Sequence, residues 1–297
     1  MKILITGVNG FIGQHLAKKL LKRKRFVLGI GQTKSSKVSD IKLYYKGSVL
    51  DKKLLEKALE ETDIIVHLAA ITSHKEIVDK KSKALETNLL GTKNVIEAFL
   101  KSKRTKKFIF ASTGKVYGKI LYLPITEEHP TNPLNILGKS KLEVENLIKR
   151  YDNNSKDLTI FRIFNVYGPG QNENFLIPTI LKQLSLGKKE LALGDVEAKR
   201  DYVYVDDLVE AFILAIEKEK KGISIYNICT GIGTSAAQIV NMIDKIKGEK
   251  IGINVNPDLI RIDEMKNEYG SFKLAKKNLG WEPKISLEDG LKLLLKN

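Results

Sequence analysis

The sequence predicts an α/β fold built on a doubly wound parallel sheet, with a smaller C-terminal substrate domain. Two observations carry this. Apolar runs of four to eight residues alternate with segments of helical period from Ile3 to Phe164, the rhythm of strands joined by helical crossovers. A glycine-rich turn, Gly7 to Gly13, lies directly between the first apolar run and the first amphipathic segment.

Taken in order, Ile3 to Ile5 reads as the first strand and Phe11 to Lys22 as the helix after the turn. Phe26 to Ile30, Ile64 to Leu68, Phe108 to Ala111 and Leu158 to Phe164 read as further strands, apolar throughout because helices cover both faces of a parallel sheet. The intervening helices are expected over Lys52 to Glu61, Lys80 to Lys101 and Pro133 to Tyr151. Beyond Gly168 the pattern loosens into short elements rich in Gly and Pro, before a regular helix from Asp206 to Lys218 and a strand from Ser224 to Ile228. The expected organisation is therefore a first domain over 1–167, rejoined by 201–228, and a second formed by 168–200 and 229–297.

The opening turn has the chemistry of a pyrophosphate cradle. Gly7, Gly10 and Gly13 are spaced so that backbone N–H groups approach phosphate oxygens with no Cβ between, and the following helix offers its positive end. NAD or NADP is the expected ligand.

Composition narrows the rest. At 297 residues and 42% hydrophobic content the chain has ample material for a packed core. The net charge of +16 is spread along the sequence, mostly as Lys, and its densest runs, Lys18 to Arg25 and Lys101 to Lys107, fall where helices end. Cations there complement the helix dipole, so no nucleic-acid partner is expected. The single Cys229 excludes an internal disulfide, and His15, His67, His74 and His129 show no metal-ligand spacing. No apolar run approaches the ~20 residues of a membrane span and no leader precedes the first strand, so a cytoplasmic location is expected.

Several segments, in order, resemble the extended short-chain dehydrogenase/reductase family, in its nucleotide-sugar epimerase and dehydratase branch. They are TGVNGFIG (Thr6 to Gly13), HLAA (His67 to Ala70), ETNLLGTKNVIEA (Glu86 to Ala98), RIFNVYGPG (Arg162 to Gly170), RDYVYVDDL (Arg200 to Leu208), YNICTG (Tyr226 to Gly231) and LGWEP (Leu279 to Pro283). The resemblance implies a Rossmann-type domain, a nucleotide-diphosphate sugar as substrate, and a homodimer formed through the helices at Lys80 to Lys101 and Pro133 to Tyr151. It implies cofactor contacts from Gly7, Asn9, Gly10, Phe11, Ile12 and Gly13, from Leu68, Ala69 and Ala70 at a strand end, from Asn88, and from Ser48 and Val49 near the adenine.

The chain departs from the family pattern at two places. Where many NAD-preferring members carry an acidic residue for the adenosine ribose, this chain has Gly31, followed by Thr33, Lys34 and Ser35. With no carboxylate to repel a 2′-phosphate, the expectation leans slightly to NADP. The second departure concerns the family's Tyr-x-x-x-Lys helix: Lys141 is present, and Leu137 stands in the tyrosine position. Leucine has no proton to exchange with a sugar hydroxyl, and general acid–base catalysis typically contributes about 10²- to 10⁴-fold in rate.

Three accounts of Leu137 stay open: a substitution that traps bound substrate, a native protein that binds without catalysis, or proton transfer by another group. A Thr-x-Lys element, Thr113 to Lys115, resembles one found in certain dehydratases of the branch, although their aspartate is replaced by Gly114. The resemblance further implies that Thr113 positions the reacting sugar hydroxyl and that Lys141 contacts the nicotinamide ribose. Asn165, Arg200 and Arg261 match diphosphate-binding positions, Tyr202 lies near the base or in the core, and Tyr117 lies near the sugar or in the core. The expected activity is hydride transfer at a sugar carbon, most readily C4, as a 4-epimerase or 4-ketoreductase. The alternative is an impaired or non-catalytic NAD(P)-binding protein, or an engineered inactive variant of such an epimerase, reductase or dehydratase.

Overall fold

A seven-stranded, wholly parallel sheet carries the structure, a computed structural model that describes residues 1–151, 155–260 and 265–296. The chain begins β1 (Lys2–Thr6), α1 (Phe11–Lys22), β2 (Phe26–Gly31), β3 (Leu43–Lys46), α2 (Lys52–Glu60), β4 (Ile64–His67), α3 (His74–Asp79) and α4 (Lys81–Leu85). A π-helical turn (Glu86–Gly91) leads into α5 (Thr92–Lys101), then β5 (Lys107–Thr113), α6 (Ile136–Arg150) and β6 (Asp157–Ile163). The remainder runs β7 (Asn165–Tyr167), α7 (Leu176–Ser185), β8 (Glu190–Leu193), β9 (Lys199–Arg200), β10 (Tyr202–Tyr204), α8 (Val205–Glu217), β11 (Gly222–Ile228), α9 (Ala236–Lys247), β12 (Gly252–Val255), β13 (Asn267–Glu268), α10 (Lys273–Leu279) and α11 (Leu287–Leu295).

The sheet order is β11-β6-β5-β4-β1-β2-β3. The chain winds outward from β1 to β3, then returns to β4 on the other side of β1, so the winding reverses between β1 and β4. A crevice opens beyond the carboxyl ends of the strands at such a switch point, and ligands of open α/β sheets bind there. Side chains alternate faces along each strand. Ile3, Ile5, Val27, Val66 and Ile109 pack on one side with Leu16 and Leu20 of α1 and Val209 and Phe212 of α8. Leu4, Leu28, Ile65, Phe108 and Phe110 pack on the other with Leu55 of α2, Val95 and Phe99 of α5 and Val144 and Ile148 of α6. Burial on both faces is the physical reason these strands read as unbroken apolar runs.

Two expected helices and one strand show where the structure departs most from the sequence reading. The expected helix Lys80 to Lys101 is divided into α4, the π-helical turn and α5. The expected helix from Pro133 starts at Ile136, because the Asn135 side chain accepts the Gly138 N–H at 2.8 Å and fixes the first turn there. Edge strand β3 carried no sequence signal, being four residues long with Leu43 and Lys46 exposed. After β6, parallel two-stranded pairs β7–β10, β8–β12 and β9–β13 flank the sheet. Among the described residues no helix is long and apolar enough to cross a membrane.

Candidate active site

The turn after β1 is shaped by glycines whose Cβ positions are already filled by backbone. Gly7 has φ +70°, and a Cβ there would lie 2.9 Å from Ala69 Cα and N. A Cβ on Gly13 would lie 2.4 Å from Gly7 O and 2.9 Å from Val8 Cα, so α1 abuts the turn directly. Gly10 caps α1 with no side-chain acceptor, and the first turn of the helix holds no acidic residue. The N–H groups of that turn are thus offered to an anion in the crevice. This cradle fits a dinucleotide pyrophosphate. At the next turn of α1, His15 sits 3.6 Å from Asp206, which raises the imidazole above its ordinary pKa.

A buried relay fastens the cradle to the end of β4. Thr6 Oγ1 lies 2.6 Å from His67 Nδ1, His67 Nε2 lies 2.9 Å from Thr92 Oγ1, and Thr92 donates to the Asn88 carbonyl at 2.7 Å. Burial pushes the His67 pKa down to about 3, with Lys141 adding to the shift, so the ring is neutral. Because Thr92 donates to a carbonyl, it accepts from His67 Nε2–H, which leaves Nδ1 to accept from Thr6. Leu68 N–H donates to Thr6 O and Ala69 N–H to Thr6 Oγ1. Asn88 uses both ends of its amide on Ile71, accepting from its N–H and donating to its C=O at 2.8 Å each. Asn88 therefore shapes the loop at 68–73, and the π-helical turn sets it at the required place on the helix.

At the end of β2, Gly31 faces side chains. A Cβ there would meet Tyr44 Oη at 2.8 Å and Asn9 Nδ2 at 3.1 Å. Asn9 Nδ2 donates to Thr33 Oγ1 at 2.6 Å and its Oδ1 accepts Lys37 N–H at 2.8 Å, so Asn9 holds the loop at 33–37. Lys34 lies exposed on that loop. Ser48 Oγ accepts Leu50 N–H, while Val49 is buried against the position where a Gly91 Cβ would sit.

The candidate catalytic residues lie where β5 meets α6. Thr113, the last residue of β5, accepts the Lys115 N–H through its hydroxyl and caps the short turn that follows. A Cβ on Gly138 would lie 2.4 Å from Lys115 O, so the first turn of α6 is pressed onto this turn and brings Leu137 beside it. One helical turn on, Lys141 is 3% exposed; its ammonium donates to Ala111 O at 2.8 Å and lies 4.6 Å from the centre of the Phe110 ring. Burial pushes its pKa down to about 8, against the pull of Glu145 in the other direction. Beneath them, Arg162 pairs with Glu145 at 2.7 Å and Ser112 donates to the same carboxylate at 2.5 Å.

The diphosphate candidates lie on the short strands. Arg200 is buried, with Nε 3.7 Å from Glu268, and that carboxylate also pairs with the Lys115 ammonium at 2.5 Å. Glu268 thus links the turn after β5, through Lys115, to the candidate diphosphate ligand Arg200. Sequence reading missed it because β13 is only two residues long. Asn165 donates to Asp201 O at 3.3 Å. Tyr202 packs in the main core, and Tyr117 is fully buried, donating to Asn227 Oδ1 at 2.6 Å. Both tyrosines sit in packing environments. Arg261 lies outside the described residues.

A glycine cradle at a topological switch point, with Thr113 and Lys141 at the carboxyl end of a strand two places along the same parallel sheet, marks a dinucleotide-dependent enzyme of the extended short-chain dehydrogenase/reductase class. Comparison with known proteins narrows the class. A model of the GDP-mannose 4,6-dehydratase family matches residues 4–294. The UDP-glucose 4-epimerase of Lactobacillus helveticus is 31% identical, over 96% of this chain and 92% of that protein. The GDP-6-deoxy-D-mannose reductase of Pseudomonas aeruginosa is 27% identical, over 99% and 96%. Among solved structures, the UDP-glucose 4-epimerase of Thermotoga maritima with UDP-glucose superposes with a TM-score of 0.90 at 32% identity, covering 100% of this chain and 98% of that one. The Thermus thermophilus UDP-glucose 4-epimerase complex with NAD gives 0.87 at 28% identity, covering 100% and 98%. The chain belongs to the GDP-mannose 4,6-dehydratase family, among the nucleotide-sugar epimerases, dehydratases and reductases.

Proposed function

We propose that this chain binds NADP(H) in preference to NAD(H), together with a nucleotide-diphosphate sugar, and acts at carbon 4 of that sugar. The observation that supports it most is the glycine cradle after β1 together with Thr113 and Lys141 at the carboxyl end of β5, two strands away in the same sheet, in a chain similar to proteins named as a UDP-glucose 4-epimerase and a GDP-6-deoxy-D-mannose reductase. NADP, when bound, supplies the hydride acceptor and its reduced form the donor. Thr113 holds the sugar O4 by a hydroxyl hydrogen bond. Lys141 places positive charge beside the nicotinamide ribose. Arg200 and Asn165 hold the diphosphate, a guanidinium fork and an amide being matched to phosphate oxygens. The segments 168–200 and 229–297 form the substrate side of the crevice, and two copies pair through α4 to α6.

Leu137 supplies no proton, so the oxygen at C4 is oriented without an acid or base at the usual place. The chain is accordingly a binding-competent enzyme slowed at proton transfer. Leucine-to-tyrosine replacement tests this: Leu137→Tyr, assayed with UDP-hexoses by cofactor absorbance and product sugar, is expected to raise turnover by about 10²- to 10⁴-fold with little change in cofactor affinity. Equal turnover in the two proteins would contradict it.

One observation favours a second reading. Lys115 lies on the turn pressed against the start of α6, and its ammonium is held by Glu268. If Lys115 carries the proton, Leu137→Tyr changes little and Lys115→Met abolishes turnover.

A further inference from the structure

Resting on the reading that the cofactor is NADP(H), we infer that Tyr44 is the residue that sets cofactor choice. A carboxylate at the end of the second strand selects the unphosphorylated ribose by accepting its hydroxyl hydrogens and repelling a 2′-phosphate. Here that place is empty of side chain at Gly31, and the space has a different owner. Register pairs Gly29 with Tyr44 and Gly31 with Lys46, so β3 brings a phenol to the strand end from the neighbouring edge. The Tyr44 hydroxyl lies 2.8 Å from where a residue-31 Cβ would be.

Three polar groups meet there. Asn9 Nδ2 is 3.1 Å from Tyr44 Oη and 2.6 Å from Thr33 Oγ1, and the two hydroxyl oxygens are 3.1 Å apart. Each hydroxyl hydrogen is directed to a carbonyl of the same loop: Tyr44 O–H to Thr33 O at 2.9 Å, and Thr33 O–H to Ser35 O at 2.7 Å. Turning an O–H about its C–O bond redirects it without moving a heavy atom. A phosphate arriving beside Gly31 offers charged oxygens, which are better acceptors than amide carbonyls. Both hydroxyls can then turn to it while Asn9, anchored by Lys37 N–H, keeps the loop in place.

The charges nearby agree. Lys34 and Lys37 lie exposed on the loop and Lys46 is exposed on β3; the acidic residue of the same stretch is Asp40, which follows buried Val38 and lies beyond the hydrogen-bonded segment 33–37. An unphosphorylated ribose would meet the same hydroxyls as a neutral ligand and gain much less. The phenol thus replaces the missing carboxylate with a donor, which inverts the preference.

Calorimetric titration of the whole chain with NADP⁺, NAD⁺, 2′,5′-ADP and ADP tests this, for the native sequence and for Tyr44→Phe, which keeps the ring and removes only the hydroxyl. The native chain is expected to bind NADP⁺ and 2′,5′-ADP more tightly than NAD⁺ and ADP. Tyr44→Phe is expected to weaken the two phosphorylated ligands by about 10- to 100-fold, the range of one hydrogen bond to a charged group, and to change the others by less than about threefold. Gly31→Asp, which displaces the hydroxyl and adds a carboxylate, is expected to reverse the preference. Tighter binding of NAD⁺ by the native chain would overturn the cofactor reading itself. A native preference for NADP⁺ that survives Tyr44→Phe, or a variant that loses all four ligands alike, would overturn the role of Tyr44 alone.

Discussion

Replacing Lys141 by Met separates what this lysine costs the fold from what it does in the site. Its ammonium is enclosed, with one hydrogen bond to Ala111 O and the Phe110 ring beside it, and neutral His67 nearby. Burial lowers its pKa from the ordinary 10.5 to about 8, which corresponds to about 3 kcal/mol of disfavoured charge. Because the native pKa lies below the unfolded one, the unfolded chain holds more protons between pH 8 and 10.5. Stability from this group therefore rises with pH across that window, and below pH 8 the full cost is present. Met fills a similar volume without the charge. After loss of the Ala111 hydrogen bond, worth about 1 kcal/mol, the variant is expected to gain about 2 kcal/mol at pH 7 and melt a few degrees higher. Its melting curve should lack the rise between pH 8 and 10.5, and its cofactor affinity should fall. Thermal melts of both proteins from pH 6 to 10.5 decide the matter. A lower melting temperature for Lys141→Met at pH 7, with the same pH dependence as the native chain, would refute the reasoning.

Two further outcomes follow from the same contacts. Gly13→Ala drives a methyl into Gly7 O and Val8, and is expected to destabilise by about 1–3 kcal/mol and to weaken dinucleotide binding at least tenfold, read by thermal melts and calorimetry. Arg162→Met leaves the Glu145 carboxyl fully buried and without its guanidinium, and is expected to cost about 3–5 kcal/mol in urea unfolding, recovered in part by adding Glu145→Gln.

Much of the fold was legible because its strands are buried on both faces and its helices on one, which gives the two periods that sequence reading detects. The cradle was legible for a related reason, since close backbone approach leaves glycine as the residue that fits at Gly7 and Gly13. What escaped notice depended on partners distant in the chain. Tyr44 gains its place from the pairing of a half-exposed edge strand with β2, and nothing in LYYK marks that register. Glu268 acquires meaning only when β13 pairs with β9 beside Arg200 and within reach of Lys115. Asn88 stands out in the sequence as a candidate cofactor contact, and only the loop after β4 shows that both ends of its amide are taken by Ile71. Tyr117 and Tyr202 show another limit: local sequence leaves each between the site and the core, and packing decides that their rings are enclosed.

The function proposed above requires backbone N–H groups at the start of α1 to hold the diphosphate of an adenine–nicotinamide dinucleotide. Titrating the native chain with NAD⁺, NADH, NADP⁺ and NADPH measures this directly. Saturable one-to-one binding of at least one pair is expected, weakened at least tenfold by Gly13→Ala; no binding of any of the four would overturn the proposed cradle.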